Sequence, residues 1–233
     1  MTQMEGILLS LLHDKALLKQ EVIGGSHERF NMFKQVMSDE VKNLSSKLTD
    51  KRIRMQFIDK GTNECHVMAG SDALVFHLHT NVFTLPSEHP FWKQNYLKKD
   101  FSKGYFGVIY VYNFLAKSIL QQHLDDGGGL IARVFINKDG AFFIEGSQQI
   151  AEKFVRLGRN KFNEKTAKEI FLLTAISAVN VDLTIPGYEE VSTISVEQLQ
   201  EISSNLGIHT AKKLGFQLPN HNEINHFEDE YEE

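Results

Sequence analysis

The sequence predicts an α+β fold: a mainly antiparallel sheet of five or six strands flanked by N-terminal and C-terminal helices. Residues 53–146 read as short alternating or wholly apolar segments separated by turn residues, which is strand chemistry. The sequence on either side instead carries apolar residues at steps of three and four, which is helix chemistry. Asn137-Lys138-Asp139-Gly140 between two apolar runs is a hairpin signal, so neighbouring strands should run antiparallel rather than through helical crossovers.

The first helical stretch places Ile7, Leu8, Leu11, Leu12, Leu17, Leu18 and Val22 on a helix that Gly24-Gly25 is expected to break. Ser26 is placed to cap a second helix with the stripe Phe30, Phe33, Met37, Val41, Leu44 and Leu48, opposite Glu28, Lys42 and Lys47. Strands follow at residues 53–57, 64–68 and 73–85, with turns at Asp59-Lys60-Gly61 and Gly70-Ser71-Asp72. Pro86 and Pro90 end the third strand, and residues 90–99 suit a short helix. Residues 105–115 are apolar on both faces, as in a central covered strand; a helix over 108–124 is the competing assignment. Residues 130–136 and 141–145 form the hairpin arms.

Helical periodicity then returns. Ser147 can cap a helix through Leu157 that Gly158 stops, and Asn163 can cap residues 164–179. Ser195-Val196-Glu197-Gln198 is a capping box for a helix through Leu199, Ile202 and Leu206. The domain reading is a helical segment 1–50 packed on an α+β body 51–216, then an acidic mobile tail 217–233. That tail holds six acids and no Lys or Arg, so the net charge of −5 describes the tail and leaves a near-neutral body.

Composition narrows the function. With 42% hydrophobic residues and 17 Phe, the 233-residue chain can fill a core, which excludes a disordered protein. No apolar run is long enough to cross a bilayer, and the N-terminus lacks the pattern of a secretory signal. The single Cys65 rules out an internal disulfide and suits a reducing compartment, so the expected location is cytoplasmic. The Gly127-Gly128-Gly129 loop lacks the spacing of a phosphate cradle, and no cofactor motif is present, so no cofactor is expected. Basic residues cluster only mildly, at Lys51-Arg52-Arg54, Lys98-Lys99-Lys103 and Arg156-Arg159-Lys161, without a nucleic-acid-binding motif.

Val75-Phe76-His77-Leu78-His79 is the most pointed string, because residues two apart on a strand share a face. His77-x-His79 resembles the first metal motif of the PHP phosphoesterases and amidohydrolases, which implies a metal-dependent hydrolase. In those families, however, the pair opens a longer barrel near its N-terminus, whereas here helices and strands precede it. Adjacent Cys65 and His66 point to opposite faces and make no thiol–base pair; His77, across the hairpin, is the alternative base. Tyr110, Tyr112 and Asn113 are the polar residues of the central strand and candidates for a pocket wall. A central antiparallel sheet between helices is similar in element order to GAF- and PAS-like sensor domains. That resemblance implies a small-ligand site on the sheet.

The functional expectation is therefore a non-catalytic binding or regulatory protein that takes a small molecule or a protein partner, with His77, His79, Tyr110, Tyr112 and Asn113 as ligand contacts. An enzyme using His77 and His79 is the alternative. Surplus apolar surface on the N-terminal helices also predicts a homodimer.

Overall fold

The computed structural model describes residues 2–124, 126–182, 188 and 192–196. One antiparallel sheet of seven strands organises them. Its strands are β1 (Met55–Asp59), β2 (Glu64–Ala69), β3 (Asp72–Leu78), β4 (Phe83–Thr84), β5 (Tyr105–Leu115), β6 (Gly129–Asn137) and β7 (Phe142–Gly146). The order is β1-β2-β3-β5-β6-β7, with β4 also paired to β5, so the chain meanders and every pair is antiparallel. Helices precede and follow this sheet, which is the predicted α+β class.

The N-terminal helices do not divide where expected. Helix α1 (Gln3–Leu11) passes through a π-helical turn (Leu12–Ala16) into α2 (Leu17–Ser45) without interruption. Thr2 caps its start: the Thr2 hydroxyl accepts from Glu5 N–H at 3.3 Å, and the Glu5 carboxylate accepts from Thr2 N–H at 2.6 Å. Gly24-Gly25 lies inside α2, and Ser26 is no cap. Its buried hydroxyl donates to Val22 O at 2.6 Å within the helix. Two glycines cost helical stability of ~1 kcal/mol each. The buried row Val22, Ser26, Phe30, Phe33, Met37 and Val41 spans that point on one helix face. Burying it on the sheet outweighs local propensity. The small residues serve close approach, since a Cβ at Gly107 of β5 would stand 2.0 Å from Ser26 Oγ.

On the sheet face under α2 and α6 (Glu164–Val179), one core joins Cys65, Leu74, Phe76, Ile109, Val111 and Val134 to Phe30, Phe33, Met37, Ile170 and Phe171. The Phe30–Val41 part of the stripe is thus consumed by the sheet, α2 ends at Ser45 before the exposed Leu48, and the stretch before Val22 keeps its apolar side chains exposed. Helix α6 forms as the sequence implies, with Asn163 Oδ1 accepting from Thr166 N–H at 3.1 Å and the Thr166 hydroxyl accepting from Asn163 N–H at 2.9 Å. The helix α5 (Gln148–Phe154) ends before Leu157. The hydroxyl of Ser147 meets Ser177 Oγ at 3.1 Å and makes no side-chain cap.

The expected strand over 73–85 is two strands. Leu78 faces Ile109 and Phe83 faces Phe106, so β4 resumes the same edge of β5 after two extra residues have been extruded. The stretch over 90–99 becomes a 3-10 turn (Pro90–Lys93) and α3 (Asn95–Lys98), followed by a second 3-10 turn (Phe101–Gly104). The hairpin β6–β7 turns on Gly140 at φ 74°, and Asn137 Oδ1 accepts from Asp139 N–H at 3.1 Å and Ala141 N–H at 3.0 Å. Strand β5 matches its predicted limits, and α4 (Ala116–Leu120) claims only part of the competing helical stretch. The helix through Leu199, Ile202 and Leu206 and the acidic tail lie outside the described residues. No helix among the described residues is long and apolar enough to cross a membrane.

Candidate functional site

Among the described residues, the sheet face away from α2 and α6 is covered at its two ends. At one end Leu85, Leu97, Phe106, Val108, Phe135 and Phe143 form a second core with the segment that follows β4. At the other end α4 packs Ala116 against Met68 and Ala73. Between them lies a polar and aromatic strip that β-sheet register alone assembles. Glu64 pairs His77, His77 pairs Tyr110, Tyr110 pairs Arg133, and Arg133 pairs Glu145. These five residues therefore form one continuous cross-strand row over β2, β3, β5, β6 and β7, and directly opposed side chains of a row are the ones that touch. His77, Glu64, Arg133 and Glu145 are each a little over a third exposed.

Hydrogen bonds fix the geometry of the row. The Glu64 carboxylate accepts from His66 Nε2 at 2.8 Å and from His77 Nδ1 at 3.3 Å, bridging two imidazoles. A carboxylate only accepts, so each bonded ring nitrogen carries the proton. His66 Nδ1 is then left buried without a partner. At the other end, Arg133 Nη2 donates to the Glu145 carboxylate, and the guanidinium lies 5.4 Å from the Phe135 ring centre. Tyr110 and Tyr112 stack at 6.0 Å and 7° interplanar angle, and burial, with the neighbouring Tyr110, pushes the Tyr112 phenol upward.

His79 stands beside this strip. Its Nδ1 accepts from Asn81 N–H at 3.0 Å, and its ring meets Phe83 edge-on at 4.7 Å and Tyr110 at 6.0 Å. His77, His79, Tyr110 and Tyr112 thus share one face, as the strand period requires. Asn113 does not. It lies fully buried on the helix-covered face, where its Nδ2 donates to Asp72 Oδ1 at 3.1 Å and Ala178 O at 3.3 Å. Its work is to tie β3 and β5 to the end of α6, and it belongs to no ligand site on the opposite face.

The same register bears on the other chemical readings. The Nδ1 lone pair of His79 is taken by an amide, which leaves its Nε2 protonated and unable to ligate a metal in this conformation. Among the described residues no group of three or more His, Cys, Asp and Glu is placed to hold a metal ion. Cys65 pairs Phe76, not His77, and sits in the helix-side core. Burial raises its thiol pKa far above the ordinary range. A thiol reagent should leave Cys65 unmodified in the native protein and label one thiol per chain after denaturation; rapid native labelling would show that this core opens. The basic clusters are partly neutralised, with Arg52 on Asp50 at 2.6 Å and Lys103 on Asp139 at 3.4 Å.

Glu64 and Arg133 carry no motif that singles them out in the sequence, and Glu145 stands there only as an acid flanking the last hairpin with Asp139. The signal that finds Glu64 is the tight Gly70-Ser71 turn: with Ala69 opposite Asp72, counting back along the hairpin puts Glu64 opposite His77. A separate shallow cleft of about 670 Å³ runs between α2 and α6, lined by Met32, Val36, Glu40 and Lys168 among others. Lys168 closes on Glu40 at 2.6 Å and holds that carboxyl below its usual range. No protein-family model, curated protein or solved structure matches the chain, so the likeness to GAF and PAS domains remains one of element order.

Proposed function

We propose that this protein is a non-catalytic binding protein whose recognition surface is the strip of Glu64, His77, Tyr110, Tyr112, Arg133 and Glu145, with His79 at its margin. The observation that supports this is the cross-strand row itself. It crosses five strands, roughly 19 Å at the usual strand spacing. It combines a stacked aromatic pair with partly exposed groups of both signs. Tyr and Arg are the side chains that give interfaces most of their energy, because each offers a large contact area and a directional donor. A surface of this extent on an open sheet suits a polypeptide partner better than an enclosed small molecule, which needs concave walls.

The test uses the full chain and a His77→Ala/His79→Ala variant. Both histidines are partly exposed, so the variant should melt within a few degrees of the parent. Immobilised parent protein should retain at least one partner from a cell extract that the variant fails to retain. Identical retention by the two, with both folded, would remove these histidines and this face from the binding surface. A small-molecule ligand would instead appear as a mass difference on native mass spectrometry of the parent.

A further inference from the structure

From Gln3 to Glu21 no residue of the N-terminal helix is buried, so about 28 Å of helix projects beyond the sheet. That projection is apolar where a solvated helix is polar: Met4 is 82% exposed, and Ile7, Leu8, Leu11, Leu12 and Leu17 are each exposed by more than half. An isolated amphipathic helix owes its stability to packing of that face. We propose that this segment is a self-association surface, on which the N-terminal helices of two copies of this chain pair antiparallel about a two-fold axis between Leu8 and Leu12. The proposal is independent of the sheet-face reading and uses none of its residues.

The spacing of the stripe is the first argument. Met4, Leu8 and Leu12 stack by α-helical steps of four. The π-turn then adds one residue, with Leu17 N–H donating to Leu12 O, so Leu17 falls in line beneath Leu12 instead of rotating off the face. The resulting row is symmetric about its middle. Turned end over end, Met4 meets Leu17 and Leu8 meets Leu12, which is the self-complementarity that a two-fold contact requires.

Area and charge favour a second copy as the occupant. At on the order of 100 Å² of exposed surface for each of the six side chains, a pair buries about 1,200 Å², where specific interfaces begin. Over residues 3–21 the acids Glu5, Asp14 and Glu21 nearly balance Lys15 and Lys19, so like meets like without strong repulsion. The same balance gives no basic face to draw the helix onto an anionic membrane. Antiparallel pairing also places the two sheet bodies at opposite ends. Parallel pairing would crowd both at one end, while paired helix axes sit only about 8–10 Å apart.

Sedimentation equilibrium of the full chain should give a dimer at micromolar concentration. Leu8→Glu/Leu12→Glu should weaken association at least ~100-fold, while the variant monomer still unfolds in one cooperative transition because these residues touch none of the sheet core. Variants with one added cysteine report orientation, since Cys65 is buried and does not compete. A mixture of Met4→Cys and Leu17→Cys should form the mixed disulfide in preference to the Met4→Cys self-disulfide. A monomeric parent would overturn the proposal. So would a dimer insensitive to the glutamates, or preferential Met4→Cys self-crosslinking. Binding of the monomer to anionic vesicles would assign the stripe to a lipid surface instead and count against it equally.

Discussion

Phe33→Ala should remove about 3–5 kcal/mol of folding stability, the largest single-residue effect expected in this chain. Phe33 is fully buried on α2, with its ring edge-on to Phe76 of β3 at 5.4 Å and to Phe162 at 5.5 Å. It therefore joins the long helix, the sheet and the segment leading into α6. Truncation loses the transfer energy of the ring and leaves a cavity among Phe76, Phe162 and Met37 that rigid sheet neighbours cannot close. Phe33→Leu keeps part of that volume and should cost less. Urea denaturation of the three proteins checks both statements. Equal midpoints for parent and Phe33→Ala would mean that α2 is not packed on the sheet as described.

Gly107→Ala should destabilise by about 2 kcal/mol or more, although it adds only a methyl group. The new Cβ would fall 2.0 Å from Ser26 Oγ and 2.7 Å from Ser26 Cβ, and neither a central strand nor the middle of a helix yields easily. Ser26→Gly removes both opposing atoms at a cost of about 0.5 kcal/mol in helix propensity. The double variant should consequently be more stable than the two single losses predict, by an interaction energy of about 1 kcal/mol or more. Additive losses in this cycle would place the helix farther from β5 than the geometry requires.

Much of the architecture was legible because its signals are local. Asn163 and Thr166 supply both halves of a capping box within four residues, so α6 begins where the sequence says it does. Asn137 through Gly140 carry their own turn chemistry, and the β6–β7 pairing follows from it. The errors arise where a distant surface outvotes a local preference. Gly24-Gly25 reads as a break, yet Val22 and Phe30 on either side are both buried against the sheet, and the glycines are carried through. Residues 73–85 read as one strand, but two residues are extruded between β3 and β4, a distortion that alternation of side chains does not reveal.

The candidate site divides in the same way. That His77 and His79 share a face, and Tyr110 and Tyr112 share a face, follows from the two-residue period of a strand and needs no structure. That the two faces coincide, that Glu64 bridges His66 and His77, and that Arg133 and Glu145 extend the row are matters of register between strands distant in sequence. A one-residue slip would send each set to the opposite side of the sheet. The sequence by itself determined the α+β class, the identity of most elements and the parity of each strand, because these depend on neighbours within a few residues. Only the tertiary structure decided which polar residues meet, that Asn113 lies on the helix-covered face bonded to Asp72 and the end of α6, and that among the described residues the stripe before Val22 stays exposed. Those outcomes depend on how much apolar surface the sheet has to offer and where its neighbouring strands align, and no local pattern encodes either.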